Sequence, residues 1–378
     1  SWRIIKKQIA LIRIIALVAI LCFGVLSICF VRPCNDINSA KLLSENSEYT
    51  DKPQTSKVDN TILLKKAEPA QYNIIENSLA NSESTVQKAN LVTSQPKKSY
   101  ANETVTVYDL NTGKRVTLNC FDAVCQIVRN EVGSYYHSGS KAGQTAYHKE
   151  TIKAHAVAAY TYLKYNSSRG AVANVGLNSD VPQVIKNYVK EVDGQAIYYN
   201  NSYICAVYSA STGGYTLSSK NAWGTNNPYL QSVVSKYDSK GPQYSSVITI
   251  PESKVKQIVE YNTGIKLSGD PINWIKVASV IDGNYVDSVI IDGNSSCRIN
   301  GRERKITGSL FRERIIGLNN LRSAAFTVHY NNGNFYFTSY GFGHGIGLSS
   351  EGAEQYAKFE NWNYVQILKH YYTDVTIF

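Results

Sequence analysis

The chain has 378 residues, 43% of them hydrophobic, and a formal net charge of +10. That length allows two or three domains, or one large domain with appendages, and the uneven composition selects the second. Seven cysteines with no CxxC or zinc-type spacing argue against a disulfide framework and a thiolate metal site.

In chain order, Ile14 to Val31 is an uncharged, mainly apolar run of 18 residues, just long enough to cross a bilayer core as a helix. Arg3, Lys6, Lys7 and Arg13 precede it, which predicts a cytosolic N-terminus and an outward-facing remainder. The run is long for a cleaved signal peptide, and VRPCNDIN after it lacks a small-x-small pattern. Residues 1–34 are therefore expected to form a cytosolic stub and an uncleaved transmembrane anchor. From Asn35 to Lys98 polar residues dominate, with Tyr49 and Tyr72 the only aromatics. So little apolar surface cannot offset chain entropy, and residues 35–100 are expected to be a flexible stalk. As a coil of about 60 residues it would span about 40 to 45 Å. A basic domain held outside a membrane rarely meets nucleic acid, so the charge points to an anionic polymer or lipid, or to solvation alone.

Residues 101–378 read as one outer α+β domain of mixed strands and a few helices. ETVTVYDLNTGKRVTL alternates on either side of the turn Asn111, Thr112, Gly113, predicting two strands. FDAVCQIVRNEV repeats Val124, Ile127 and Val128 at helical spacing. After the polar, glycine-bearing loop GSYYHSGSKAGQT, the stretch KETIKAHAVAAYTYLKY predicts a second helix, with Ile152, Ala156, Ala159 and Leu163 on one face. A hairpin is expected at Asn200 and Asn201, and another at Asn332 and Gly333. IDGN occurs at Ile281 and again at Ile291, which reads as recurrent turn chemistry. NWNYVQILKHYY predicts a terminal helix. Cys22, Cys29 and Cys34 lie in or beside the anchor, while Cys120, Cys125, Cys205 and Cys297 are expected to be buried free thiols.

Four stretches of the outer domain could carry chemistry, and each is ambiguous alone. Glu131 ends an apolar helix face before a glycine. It is either a solvated end charge or a half-buried carboxyl whose pKa burial raises. YSASTGGYT sets hydroxyls around Gly213 and Gly214 with Tyr215, Trp223 and Tyr229 following; it suits sugar rings, or is a tight turn among core aromatics. His344, in GFGHGIGLSSEGA, has no second histidine or cysteine at metal spacing, and a lone histidine is more often hydrogen-bonded within the fold.

Their order and wording together resemble the SpoIID/LytB family. That family carries a glutamate followed by a helix like ALKAQAVAARTYA, here IKAHAVAAYTYLK. It then has YHSTSGGYT…WG…PYL.SV, here YSASTGGYTLSSKNAWGTNNPYLQSV, and GxGHGVGMSQYGA before a helix ending HYY, here GFGHGIGLSSEGA…YVQILKHYY. The resemblance spans roughly residues 103–378.

It implies a membrane-anchored lytic transglycosylase, a lyase of the peptidoglycan cell wall acting in spore engulfment from the mother-cell membrane, with strands supplied by a partner amidase. By the resemblance, Glu131 is the catalytic acid and base. Tyr208, Ser209, Ser211, Thr212, Gly213, Gly214, Tyr215, Trp223, Gly343, His344 and Gly345 bind the glycan. No cofactor and no metal are expected, since NSSRGAVANVGLNSDVPQ lacks the His/Cys residues of some members. The alternative implied is a non-catalytic wall-binding module that stimulates a peptidoglycan amidase. Several positions depart from the pattern. Glu131-Val132-Gly133 replaces Glu-Met-Pro, and about eleven extra residues follow Glu131. His155, Tyr160 and Ser350 replace Gln, an Arg expected near the glutamate, and Gln.

Overall fold

The computed structural model describes residues 99–132 and 147–378. The anchor, the stalk up to residue 98 and the loop at 133–145 lie outside them; Tyr100, expected to end the stalk, is instead buried in the first core, its amide donating to Asp193 at 2.7 Å. Among the described residues no helix is long and apolar enough to cross a membrane. Among the described residues, eight helices and several small sheets make an α+β fold, as expected.

The N-terminal strands β1 (Thr104–Asp109) and β2 (Lys114–Asn119) pair antiparallel from Thr104↔Asn119 to Asp109↔Lys114. The buried Asp109 carboxylate holds their turn, accepting from Asn111 N at 3.1 Å and Thr112 Oγ1 at 2.7 Å. Helix α1 (Cys120–Val132) follows at once, and the Asn119 side chain accepts from Phe121 N at 2.9 Å, covering an amide that the helix start leaves open. Helix α2 (Lys149–Ser167) was expected to bury one face. It is buried nearly all round, because Ala154, Ala156, Ala158 and Ala159 let neighbours approach from every side.

Strand β3 (Ala173–Val175) adds parallel to β1, and α3 (Gln183–Glu191) follows. The hairpin of β4 (Ile197–Tyr199) and β5 (Ser202–Tyr203) turns on Asn200 and Asn201 at φ 48° and 58°, the left-handed pair that such two-residue turns require. After β6 (Tyr208–Ser209) comes the short α4 (Ser219–Trp223).

A second hydrophobic core then forms inside the same domain. It is built by β7 (Ser245–Pro251), α5 (Glu252–Thr263), β8 (Ile275–Ile281), β9 (Tyr285–Ile291), β10 (Ser296–Ile299), β11 (Arg302–Lys305) and α6 (Gly308–Leu310), which runs on into the π-helical Phe311–Ile316. Strands β12 (Phe326–Asn331) and β13 (Asn334–Tyr340) close it, with β13 between β12 and β7. Val255, Val259, Val289, Phe311, Phe335 and Phe337 fill its centre. Both IDGN turns adopt one conformation, Asp282 and Asp292 at φ 46° and 45° before left-handed Gly283 and Gly293. The repeat is shared turn chemistry, as the sequence suggests.

The chain returns to the first core through β14 (Leu348–Ser349), α7 (Ser350–Phe359), α8 (Tyr364–Tyr371) and β15 (Thr376–Ile377), which pairs with β4. Asn363 caps α8 in a reciprocal pair with Gln366. Glu354 of α7 accepts His148 N and Thr151 Oγ1, each at 2.8 Å, and so docks the first turn of α2. Cys120, Cys125, Cys205 and Cys297 are buried free thiols.

Candidate active site

The buried positions of α1 include Cys120, Val124, Ile127 and Glu131, at steps of four, three and four. That is the stripe an α-helix turns toward its core, so helical periodicity carries Glu131 inward with the apolar residues. The side chain is 3% exposed, and among the described residues Oε2 has no hydrogen-bond partner. Burial pushes the carboxyl up to about 7, and the Asn130 amide opposes this only in part. Such a group holds a proton near neutral pH and can release it.

Tyr208, on β6, is the buried neighbour. Burial and then the negative charge of Glu131 push its phenol well above the ordinary range. Its ring meets the His155 ring of α2 edge-on, centroids 5.4 Å apart. His155 is itself buried, which pushes its imidazole down to about 4.

β6 pairs parallel with β14, Tyr208 opposite Leu348, and Ser211 bridges to Phe342 through amide bonds of 3.1 and 2.9 Å. The serine-threonine stretch and the glycine-histidine stretch are therefore adjacent backbone segments. Gly343, at φ 113°, lies over Ser209, where an added Cβ would stand 2.7 Å from the serine Cβ. Gly345, at φ 76°, leaves room for the Tyr285 hydroxyl, which a Cβ would overlap. Gly345→Ala is expected to lower stability by about 3 kcal/mol through backbone strain and overpacking, read as a shift in the urea midpoint.

His344 is buried within this loop. Its Nδ1 accepts Ile346 N–H at 3.0 Å, and the ring also bonds the Tyr208 backbone. Burial first, and then the charge of Arg312, push the imidazole down to about 3. It is a neutral tie between the glycine loop and β6, with the Trp223 ring 6.3 Å away.

The structure thus brings Glu131, Tyr208, Ser209, Gly343, His344, Gly345 and Trp223 into one neighbourhood. The other expected binding residues have internal duties. Ser211 Oγ and Thr212 N donate to the buried carboxylate of Asp238 at 3.0 and 2.7 Å. The Gly213 carbonyl accepts from Asn284 at 2.9 Å, and the Gly214 amide donates to Thr212 Oγ1 at 3.3 Å. Tyr215 is 40% exposed and its ring lies against Gly283.

Two features were not anticipated. Asp238 also takes the hydroxyls of Ser235 and Ser349, the latter at 2.5 Å, and so ties the serine-threonine turn to the start of α7. Nothing in the surrounding SKYDSK marks it. Tyr160 is not near Glu131. Its hydroxyl donates to Glu103 at 3.2 Å and its ring meets Tyr100 at 4.5 Å, beside the first residue of α1 rather than the last turn, where Glu131 sits. Eleven residues of helix separate those ends by about 16 Å.

No family model matches the chain. It is 33% identical over 205 residues to stage II sporulation protein D of Bacillus amyloliquefaciens, covering 53% of this chain and 53% of that protein. The protein of the same name from Bacillus subtilis (strain 168) is 32% identical over 193 residues, 51% of this chain and 50% of that one. The amidase enhancer of Bacillus subtilis (strain 168) is 28% identical over 278 residues, covering 60% of this chain and 38% of the relative. The chain spans about half the length of the stage II sporulation proteins it matches. These matches agree with the resemblance that the four motifs carry: the chain is a relative of stage II sporulation protein D and of the amidase enhancer.

Proposed function

We propose that this protein acts on the bacterial cell wall in sporulation as a lytic transglycosylase, cleaving the bond between N-acetylmuramic acid and N-acetylglucosamine in peptidoglycan strands. The supporting observation is the Glu131 carboxyl, buried on a helical stripe and held near 7 by loss of solvent.

In this reading Glu131 gives its proton to the glycosidic oxygen as the C1–O bond breaks. The carboxylate then takes the proton of the muramic C6 hydroxyl while that oxygen closes on C1, leaving a 1,6-anhydro ring. No water enters and the proton returns to its origin, so one carboxyl serves both steps. A hydrolase needs a second carboxylate for water or for a covalent intermediate. Trp223, half-buried, and Tyr215, exposed, offer aromatic faces to sugar rings. Gly343, His344 and Gly345 form a wall behind Trp223. Residues 101–378 would be the working domain, held outside the membrane by the anchor and stalk expected at 1–34 and 35–100.

The test incubates the full chain with peptide-free glycan strands and analyses products by mass spectrometry. Anhydro-muramic ends should accumulate, and Glu131→Gln should form them about 10³-fold more slowly, since positioned proton transfer contributes about that much. Ends formed at the native rate by the variant would remove Glu131 from the mechanism. A second reading, a wall-binding module that stimulates an amidase, is favoured by the relative named amidase enhancer. It predicts no anhydro ends and a faster amidase in the presence of the chain.

A further inference from the structure

The sheet of β12, β13 and β7 buries one face in the second core and turns the other to solvent. Along β13, buried Phe335, Phe337 and Ser339 alternate with half-buried Tyr336, Thr338 and Tyr340, and residues two apart share a face. The register carries that outward face sideways. Tyr336 stands between His329 and Thr249, and Thr338 between Thr327 and Val247. All four flanking residues are exposed, Val247 by 64%. The rings of His329 and Tyr336 lie with centroids 6.4 Å apart.

No outward position of the three strands is Lys, Arg, Asp or Glu. Yet the chain carries a net +10, and β11 of the same core exposes Arg302, Glu303, Arg304 and Lys305 in a row. Depletion of charge together with tyrosine marks a surface that is covered by a partner rather than solvated. One end of this face also meets the candidate active site. Tyr340, its ring 5.9 Å from that of Tyr244, backs onto the Gly213 turn, where an added Cβ would stand 3.7 Å from the Tyr340 Cβ. The residues after Tyr340 are the glycine loop that bridges to Ser211 through Phe342 and lies over Ser209 through Gly343.

The chemistry of the face selects its occupant. A phosphate polymer needs cations, which are missing here. An apolar protein surface needs more aliphatic area than Val247 and Pro251 supply. Sugar rings present apolar faces and hydroxyl edges, which the tyrosine rings and the hydroxyls of Thr249, Thr327 and Thr338 match. Tyr336 and Tyr340 lie four residues apart on an extended strand, about 13 Å, so a ligand that touches both is a polymer.

We propose that the outward face of β12, β13 and β7 is a platform for the rings of an N-acetylated glycan strand, which passes over Tyr340 into the candidate active site. The kind of polymer rests on the glycan reading above; the platform adds where the strand lies away from Glu131.

The first experiment titrates the full chain calorimetrically with N-acetylglucosamine oligomers, which are uncharged, as a disaccharide and as a long oligomer. The long oligomer should bind about tenfold tighter, and Tyr336→Ala should lose that advantage while binding the disaccharide as the native chain does. Val247→Glu, a change at an exposed position on the neighbouring strand, should lose it too. Thermal unfolding of both variants should match that of the native chain. Native-like binding of the long oligomer by both variants overturns the platform, and so does a dimer in light scattering that Val247→Glu dissociates without altering glycan binding, which assigns the face to a second copy.

The second experiment follows anhydro-muramic ends from long peptide-free strands below saturation. About tenfold slower release by Tyr336→Ala supports the platform. Release at the native rate overturns it and leaves the cleavage reading standing. Binding that depends on Tyr336 with no anhydro ends from the native chain keeps the platform and removes the cleavage. Failure of the native chain to bind any oligomer or strand overturns both.

Discussion

At pH 8, Glu131→Gln is expected to be more stable than the native chain by about 3 kcal/mol. The carboxyl's pKa rises from 4.5 to about 7 on folding because the folded chain strips its solvent. Between those values the folded state keeps a proton that the unfolded state gives up, so native stability falls as pH rises through that window and levels off above 7. A rise of that size corresponds to about 3 kcal/mol at about 1.4 kcal/mol per unit. Glutamine fills the same volume without a charge, so it escapes the penalty. Below pH 4 both forms are neutral and the two chains should unfold alike. Urea unfolding of both between pH 4 and 8 checks this. Parallel curves would mean that Glu131 reaches solvent, and would remove the support for its proton chemistry as well. The variant that loses activity should therefore be the more stable one, as expected where a group is held in an unfavourable state for chemistry.

Asp238→Ala is expected to cost about 5 kcal/mol, enough to abolish folding in a domain of ordinary stability. The carboxylate accepts from Ser211 Oγ, Thr212 N, Ser235 Oγ and Ser349 Oγ, and every one of those residues is buried. Bonds to a charged group contribute about 1.5 to 3 kcal/mol each, and deleting the acceptor strips Ser211, Thr212 and Ser349 of it while leaving Ser235 the Tyr371 hydroxyl. Burial opposes the charge while those four bonds support it. Asp238→Asn keeps the volume and one acceptor oxygen, so it should lose less than the alanine. Urea midpoints and yields of soluble protein rank the three chains. An alanine variant as stable as the native chain would show that the serine-threonine turn and α7 hold together without this carboxylate.

Comparing these residues shows which parts of the fold were legible. Helices α1 and α2 follow from short-range periodicity, and the turns at Asn200–Asn201, Asn332–Gly333 and both IDGN sites follow from residues that tolerate left-handed backbone. Helix α7 did not announce itself, since SEGAEQYAKF carries a glycine in its first turn and needs Ser349, at the end of β14, to cap it through Gly352 N. Helix α5, over ESKVKQIVEYNT, buries only Val255, Val259 and Thr263, and that sparse face hid it among polar residues. The second core was equally unforeseen, because its parts alternate as ordinary strands and only their mutual packing separates them from the first.

By itself, the sequence determined where α1, α2 and the asparagine and IDGN turns form and that Glu131 ends the apolar face of Val124, Ile127 and Val128, since each depends on neighbours within two or three helical turns. The tertiary structure alone decided what faces those elements. It set Tyr208 beside Glu131, spent Ser211 and Thr212 on Asp238, carried Tyr160 to Glu103 and buried Arg312 against the Leu321 carbonyl. The pairing of Tyr208 with Leu348 joins segments far apart in the chain, and hydroxyls that could bond either a sugar or a buried carboxylate look the same in sequence. Which partner they take depends on the burial of the whole domain.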